Sequence, residues 1–313
     1  MKIAVMGTGG VGGYFGARLA AAGSDVSFVA RGAHLKAIQE SGLRIASANG
    51  NVTIEPANAT GDPATIGPVD IVLFATKLWD VETSGAACKP LLKADGPTGP
   101  TGVVTFQNGV DAVPRLAGVL GEQHVVGGVA AIAAVIEEPG LIRHTGTMAA
   151  LEFGELDGAS SPRVEALLAA CESAGFNAAI ASDINRSIWR KMALLAPFAG
   201  VSSFARTNFG GIRADPELTA MVDAAIDEVF AVAEAEGICV SDDMRGFVAK
   251  AVATLPDAMT SSMAGDLERG NRLELPWLSG AIVRLGAASG VPTPTHARIV
   301  EALTPYQEGT ATT

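Results

Sequence analysis

The feature that most restricts this chain is a spacing of glycines, Gly7-x-Gly9-x-x-Gly12, set between the apolar run "KIAVM" at 2–6 and the stretch "GYFGARLAAAG" at 13–23. The run ends at glycine, as a buried parallel strand does, and the stretch after it shows helical spacing through Tyr14, Ala17, Leu19 and Ala21. Three glycines at this spacing say little by themselves. Between a first strand and a first helix they predict a dinucleotide site. Gly7 permits the tight turn, Gly9 lets a pyrophosphate approach the backbone, and Gly12 lets the helix pack close. The unpaired N–H groups of the helix N-terminus then face the phosphates. Gly7, Gly9, Gly10, Val11 and Gly12 are the expected cofactor cradle.

The residues that follow keep alternating. "DVSFVAR" reads as a second strand, "GAHLKAIQESG" as a helix closed by Gly42, and "VDIVLFATK" and "GVVTFQN" as further buried strands. "LRIASANGNVTIEPANAT" alternates around Asn49-Gly50, a hairpin signature, and "HVVGGVAAIAAVIEEPGLIRHTG" reads as strands turning at Pro139-Gly140. Strand–helix alternation predicts a parallel sheet covered on both faces.

The end of the second strand selects the cofactor. Folds that hold NAD usually place Asp or Glu there for the ribose hydroxyls. This chain has Arg31, with no carboxylate beside it in the sequence. An arginine there pairs with a 2′-phosphate in bidentate fashion, so the expected cofactor is NADP. Lys77, at the carboxyl end of "VLFATK", either adds charge nearby or is a solvated loop lysine.

After about residue 180 the strand signals stop. "DINRSIWRKMALLAPFAG" begins at a plausible cap, Asp183, and is expected to kink or end at Pro197. "DPELTAMVDAAIDEVFAVAEAEG" carries Asp215 as cap, Pro216 at the first helical position and Gly237 at the stop. Four further helical pieces follow, and "QEGTATT" reads as a frayed tail. The expected division is 1–180 for the dinucleotide domain and 181–313 for a helical substrate and catalytic domain, with the reaction in the cleft between them.

Composition closes off other classes. The formal net charge is −11 and no Lys/Arg run stands out, which excludes the electrostatic footprint of nucleic-acid binding and of an anionic membrane surface. The start could mimic a signal peptide, but glycines and Arg18 interrupt its apolar run, and no 18 apolar residues run uninterrupted. A soluble, cytoplasmic protein is expected. Cys88, Cys171 and Cys239 read as reduced core thiols. His34, His124, His144 and His296 show no metal spacing, and no metal is expected; His296 is the one considered for the cleft. No GxSxG, P-loop or paired-carboxylate motif points to hydrolysis or phosphoryl transfer.

One stretch of the helical half asks for an explanation. In "KMALLAPFAG", 191–200, a single ammonium precedes nine uncharged residues. Lysines usually lay the stem on apolar surface and lift the head into water. The order of motifs gives a different reading. "GTGGVGGYFGARLAAAG", "VARGAHL", "ATK", "FQNGV", "IRHTG" with "FGE", "WRK", "SSMAGDLERG", "ELPWLSGAIVRLG" and "GVPTP" occur in a sequence and spacing that resembles the ketopantoate reductase (2-dehydropantoate 2-reductase) family over nearly the whole chain.

The resemblance implies an α/β, Rossmann-like dinucleotide domain followed by an all-α domain of the 6-phosphogluconate dehydrogenase C-terminal type. It implies reduction of a small-molecule 2-keto acid with NADPH, ketopantoate to pantoate in pantothenate biosynthesis. The family's catalytic lysine falls on Lys191 and its acidic partner on Glu274, twelve residues after Ser262. Asn108 in "QNG" matches a family asparagine after the substrate-side strand, where it could bridge the nicotinamide side and the substrate oxygen, and Ser262, the serine of "SSM", could hydrogen-bond the substrate carboxylate. The chemistry needs such groups: negative charge grows on the carbonyl oxygen as hydride arrives, and a partly buried ammonium can stabilise it and give up a proton.

The chain departs from the family pattern at Leu195 and Ala199, where asparagines are common, and around the glutamate, where it reads Asn271-Arg272-Leu273-Glu274-Leu275-Pro276. A site with fewer hydroxyl partners discriminates less for a hydroxylated substrate. A more apolar 2-keto acid is therefore the alternative substrate. A non-catalytic NADP-binding sensor is the alternative of another class. The long helical half offers surface for a homodimer.

Overall fold

The computed structural model describes residues 1–310. They fall into two compact units: Met1–Gln107 with Ala112–Ile184, and Asn108–Asp111 with the chain from Asn185 onward.

The first unit runs β1 (Lys2–Met6), α1 (Gly10–Ala21), β2 (Asp25–Val29), α2 (Gly32–Ser41), β3 (Leu43–Ala46), β4 (Val52–Ile54), β5 (Asn58–Thr60), β6 (Ile71–Phe74), α3 (Val81–Cys88), β7 (Gly102–Thr105), α4 (Ala112–Leu120), β8 (Val125–Glu138), β9 (Leu141–Gly154), α5 (Pro162–Ser173) and β10 (Asn177–Ile180). The strands form one sheet in the order β4-β3-β9-β8-β7-β6-β1-β2-β5, with β10 on β9. From β7 to β5 the pairings are parallel. These are the runs that read as continuous apolar strands: Ile3, Val5, Ile71, Leu73 and Val104 are fully buried, as a sheet covered on both faces requires. The Asn49-Gly50 hairpin is present as antiparallel β3–β4. β8 starts parallel to β7 and continues antiparallel to β9 around the turn at Pro139-Gly140.

The second unit is helical: α6 (Ile184–Ala205), which begins on the last residue of the first, then α7 (Phe209–Ala214), α8 (Pro216–Ala235), α9 (Asp242–Thr254), α10 (Ser262–Glu268), α11 (Ser279–Ser289) and α12 (Pro294–Leu303). Asp215 caps α8 as expected, its Oδ1 accepting from the Glu217 N–H at 2.8 Å. The core gathers on α6, where Met192, Ala193, Ala196 and Ala199 are fully buried.

Several expectations need correction. Pro197 does not end α6, which continues eight residues to Ala205. A proline removes one donor and crowds the carbonyl four residues back, here that of Ala193; burial of the helix on both sides of it, at Ala193, Ala196, Phe198, Ala199 and Val201, holds α6 together. Cys88 and Cys171 are buried, and burial pushes both thiols up to about 12. Cys239 is exposed rather than in a core, because it lies in the connection that follows Gly237. His296 is fully buried inside the helical unit, its Nε2 3.1 Å from the Ala225 carbonyl oxygen, rather than lining an opening. The tail is not frayed over 307–310: the Thr310 N–H donates to the Gly270 carbonyl at 2.9 Å, and the Leu273 N–H donates to that of Gln307 at 2.8 Å. Residues 311–313 of that expectation lie outside the described residues. No helix among the described residues is long and apolar enough to cross a membrane.

Candidate active site

In the first unit the site is made by backbone. Gly7 has φ +96°, in the left-handed region, and a Cβ there would lie 2.9 Å from the Ala75 carbonyl. A Cβ at Gly12 would strike the Gly7 carbonyl oxygen, so α1 can start this close to β1 only with glycine there. At Gly9 a Cβ would meet nothing within 4 Å, which leaves an open approach to the backbone. Gly10 has another reason to be small: a Cβ would collide with the Ala134 carbonyl, because β8 passes over the helix start. Val11, the next residue, is half-buried. The first turn of α1 has no side-chain cap and no acidic residue. Its N–H groups and the positive end of the helix dipole suit phosphate, and the pyrophosphate of a dinucleotide fits these residues.

Arg31 stands at the N-terminus of α2 with a side chain 70% exposed, free to meet an incoming 2′-phosphate. The expectation that no carboxylate lies beside it needs amending. Asp80, from the turn after β6, places a carboxylate oxygen 3.9 Å from its guanidinium. The two residues are far apart in sequence, so no local pattern showed this. An exposed ion pair at that distance is weak and leaves Arg31 available. Lys77 is exposed three residues past β6, with its ammonium 5.5 Å from the centre of the Trp79 ring.

In the second unit the site is made by side chains. Lys191 lies two turns into α6 and is half-buried. Burial lowers its pKa to about 8, and the negative charge of Glu274 holds it from falling further. Glu274 is 7% exposed and precedes a 3-10 turn, Leu275–Trp277. Its carbonyl accepts from the Trp277 N–H at 3.0 Å, and its Oε2 accepts from the Asn108 side-chain amide at 3.3 Å. Asn108 sits just past β7 on a short loop that packs with the helical unit. Gly109, at φ +85°, makes that loop's turn. Asp111 anchors it: Arg284 on α11 donates to both its carboxylate oxygens, at 2.6 and 2.7 Å.

Three of the four catalytic and substrate positions read from sequence are thus brought together: Lys191, Glu274 and Asn108. Ser262 is not tied to them. It is the first residue of α10, exposed, and its hydroxyl has no partner among the described residues. The neighbouring Ser261 is the one that caps α10, accepting from the Ala264 N–H at 3.0 Å, and it bonds Ser202 at 2.8 Å. The sequence reading missed Asp80, Ala134, Asp111 and Arg284, all of which act through partners remote in sequence. No group of three or more metal-ligating side chains occurs among the described residues.

Reduction of a carbonyl asks for a dinucleotide and a proton donor. A chain whose first unit is built for NADP and whose second carries a lysine tuned toward neutrality is of the class of NADP-dependent oxidoreductases acting on a CH–OH group. Comparison with known proteins gives the family. The family model described as ketopantoate reductase PanE/ApbA matches residues 3–158, and its C-terminal counterpart matches 183–307. The chain is 34% identical to a 2-dehydropantoate 2-reductase of Mesorhizobium japonicum, over 94% of both chains. A crystal structure of a PanE/ApbA family ketopantoate reductase from Ralstonia eutropha superposes with TM-score 0.86 at 31% identity, covering 98% of this chain and all of that one. A structure titled D-mandelate dehydrogenase with NADH and anilino(oxo)acetate shares the fold, at TM-score 0.88 and 23% identity, covering 98% of both chains. The chain belongs to the ketopantoate reductase family, as its motifs implied, and has that family's α/β and helical domains and its NADP dependence.

Proposed function

We propose that this protein reduces 2-dehydropantoate to pantoate, a small-molecule 2-keto acid to its 2-hydroxy acid, in the cytoplasm. The observation that carries the reading is the Lys191–Glu274–Asn108 group: an ammonium drawn toward neutrality beside a buried carboxylate that is itself held by an amide. The names of the relatives support the substrate. NADPH, when bound at Gly7–Gly12 and Arg31, supplies the hydride. Lys191 holds its proton toward the ketone oxygen and transfers it as negative charge develops there, a step worth typically ~10²- to 10⁴-fold. Glu274 keeps the lysine charged at neutral pH and accepts a hydrogen bond from Asn108. Asn108 orients the carboxylate and offers its remaining polar atoms to the substrate. Ser262, exposed at the start of α10, is available to the substrate carboxylate.

A second reading has its own observation. Leu195 and Ala199 occupy the α6 face one and two turns beyond Lys191; the first is half-exposed and apolar, and the second is fully buried. Neither side chain offers a hydrogen-bond partner to a substrate hydroxyl. This favours a 2-keto acid with an apolar side chain.

One assay separates the two and tests the chemistry. NADPH oxidation is followed with ketopantoate and with 2-keto acids of increasing apolar length, across pH. A higher kcat/KM for ketopantoate supports the first reading, and a preference for the apolar series supports the second. The lysine must be protonated to donate, so reduction declines as pH rises through about 8, while oxidation of the hydroxy acid gains over the same range. No oxidation with any 2-keto acid would overturn both readings.

A further inference from the structure

We infer that the segment 307–310 is a positioning element for Glu274, set by an interlock of Gly309 with Gly270; the inference rests on the reading of Lys191 as proton donor. Residues 271–274 have no regular secondary structure. The carboxylate that acts on Lys191 therefore stands at the end of a strip of chain with no ladder of its own. The strip is held from outside. The Thr310 N–H donates to the Gly270 carbonyl at 2.9 Å, and the Leu273 N–H donates to the Gln307 carbonyl at 2.8 Å, one residue before Glu274. Arg272 and Glu308 add an ion pair at 3.1 Å between these bonds. On the far side, the turn 275–277 and the fully buried Leu275 fix the chain that leaves Glu274.

The two segments meet backbone to backbone, and glycine is what allows it. Gly309 has φ +77° and Gly270 φ +70°. A Cβ on Gly309 would lie 2.6 Å from the Gly270 carbonyl oxygen, closer than real side chains come, and 3.0 Å from the Arg272 nitrogen, a tight contact. A side chain there pushes 307–310 off the strip and strains its own backbone. Leu273 then loses its acceptor, and Glu274 moves with it. The Asn108 bond to Glu274, at 3.3 Å, already lies near the long end of the hydrogen-bond range, so a small displacement removes it. Misplacing a catalytic group by ~1 Å costs up to ~10²-fold in rate.

The test is Gly309→Ala in the full chain, with NADPH and the best 2-keto acid, from roughly pH 6 to 10 so as to span the lysine's titration. The expected result is a kcat lower by ~10-fold or more with NADPH affinity unchanged. The alkaline limb of the profile moves to lower pH, since a displaced Glu274 supports the charged lysine less. A purely structural loss would lower the amount of active enzyme without moving the limb. Thr310→Ala keeps the 2.9 Å backbone bond, removes only the longer 3.4 Å bond from its hydroxyl to the same Gly270 carbonyl, and is expected to leave the limb in place; a limb that moved here would overturn the assignment of the interlock to the two glycines. If Gly309→Ala does not fold, Glu308→Gln decides by the same profile, with a smaller shift in the same direction. A wild-type limb that these variants leave in place, with kcat intact, overturns this inference alone. A wild-type profile flat through pH 8 overturns the proton-donor reading and this inference with it.

Discussion

The two units offer a ligand different kinds of atoms. At the start of α1 the groups presented are main-chain N–H donors; at Gly7, Gly10 and Gly12 strand, helix and the passing β8 backbone leave no space for a side chain, and at Gly9 the absence of one leaves the approach open. Around Lys191 the groups presented are side chains from three separate stretches: α6, the 271–274 strip and the loop after β7. A backbone site depends on conformation and close approach, and is damaged by adding atoms. A side-chain site depends on charge and reach, and is damaged by removing them.

The sharpest way to break this contrast is Lys191→Ala. Turnover is expected to fall by ~10³-fold or more while NADPH binding, measured by fluorescence or calorimetry, stays within ~2-fold. Comparable turnover in the variant would remove Lys191 from the chemistry.

Gly10→Ala attacks the other unit with a single methyl group. The added carbon meets the Ala134 carbonyl, and overpacking of this kind costs about 1–3 kcal/mol. Thermal unfolding is expected several degrees lower and NADPH affinity ~10-fold weaker, with the alkaline limb of the rate profile unmoved. A shift of that limb would mean that the backbone site and the lysine are not independent.

The smallest effects come from Arg31, just past β2, and its partner Asp80 from the turn after β6. Arg31→Ala should weaken NADPH by ~10-fold and NADH hardly at all, as loss of a 2′-phosphate contact requires. Asp80→Asn should act the other way, tightening NADPH by ~2-fold, because an exposed carboxylate at 3.9 Å takes only a little from the arginine. Equal losses for both cofactors in Arg31→Ala would discard the phosphate role.

What the sequence disclosed follows the same contrast. Strands buried on both faces announce themselves as unbroken apolar runs, and a glycine cradle does so by its place between strand and helix. The side-chain site was legible only as a matched pattern. Asn108 and Glu274 are 166 positions apart, and nothing local in either segment says they touch. Pro197 misled because the rule for a lone proline is local, whereas α6 is held by burial along its length. Asp80 was missed for the reason the Asn108–Glu274 contact was not local: its partner arrives from another element. "QEGTATT" reads as a solvated end because it is small and polar, yet Gln307 and Thr310 contribute main-chain groups, which composition does not report.

The contact between Gly10 and β8 bears on engineering. Strengthening the grip on a dinucleotide invites transplanting the short glycine loop from another protein as a cassette. Here the donor loop would also have to match a strand more than a hundred positions downstream, and a graft of residues 7–12 alone would arrive without its lid. Swaps meant to retune this protein must therefore carry Ala134 and its neighbours along with the loop.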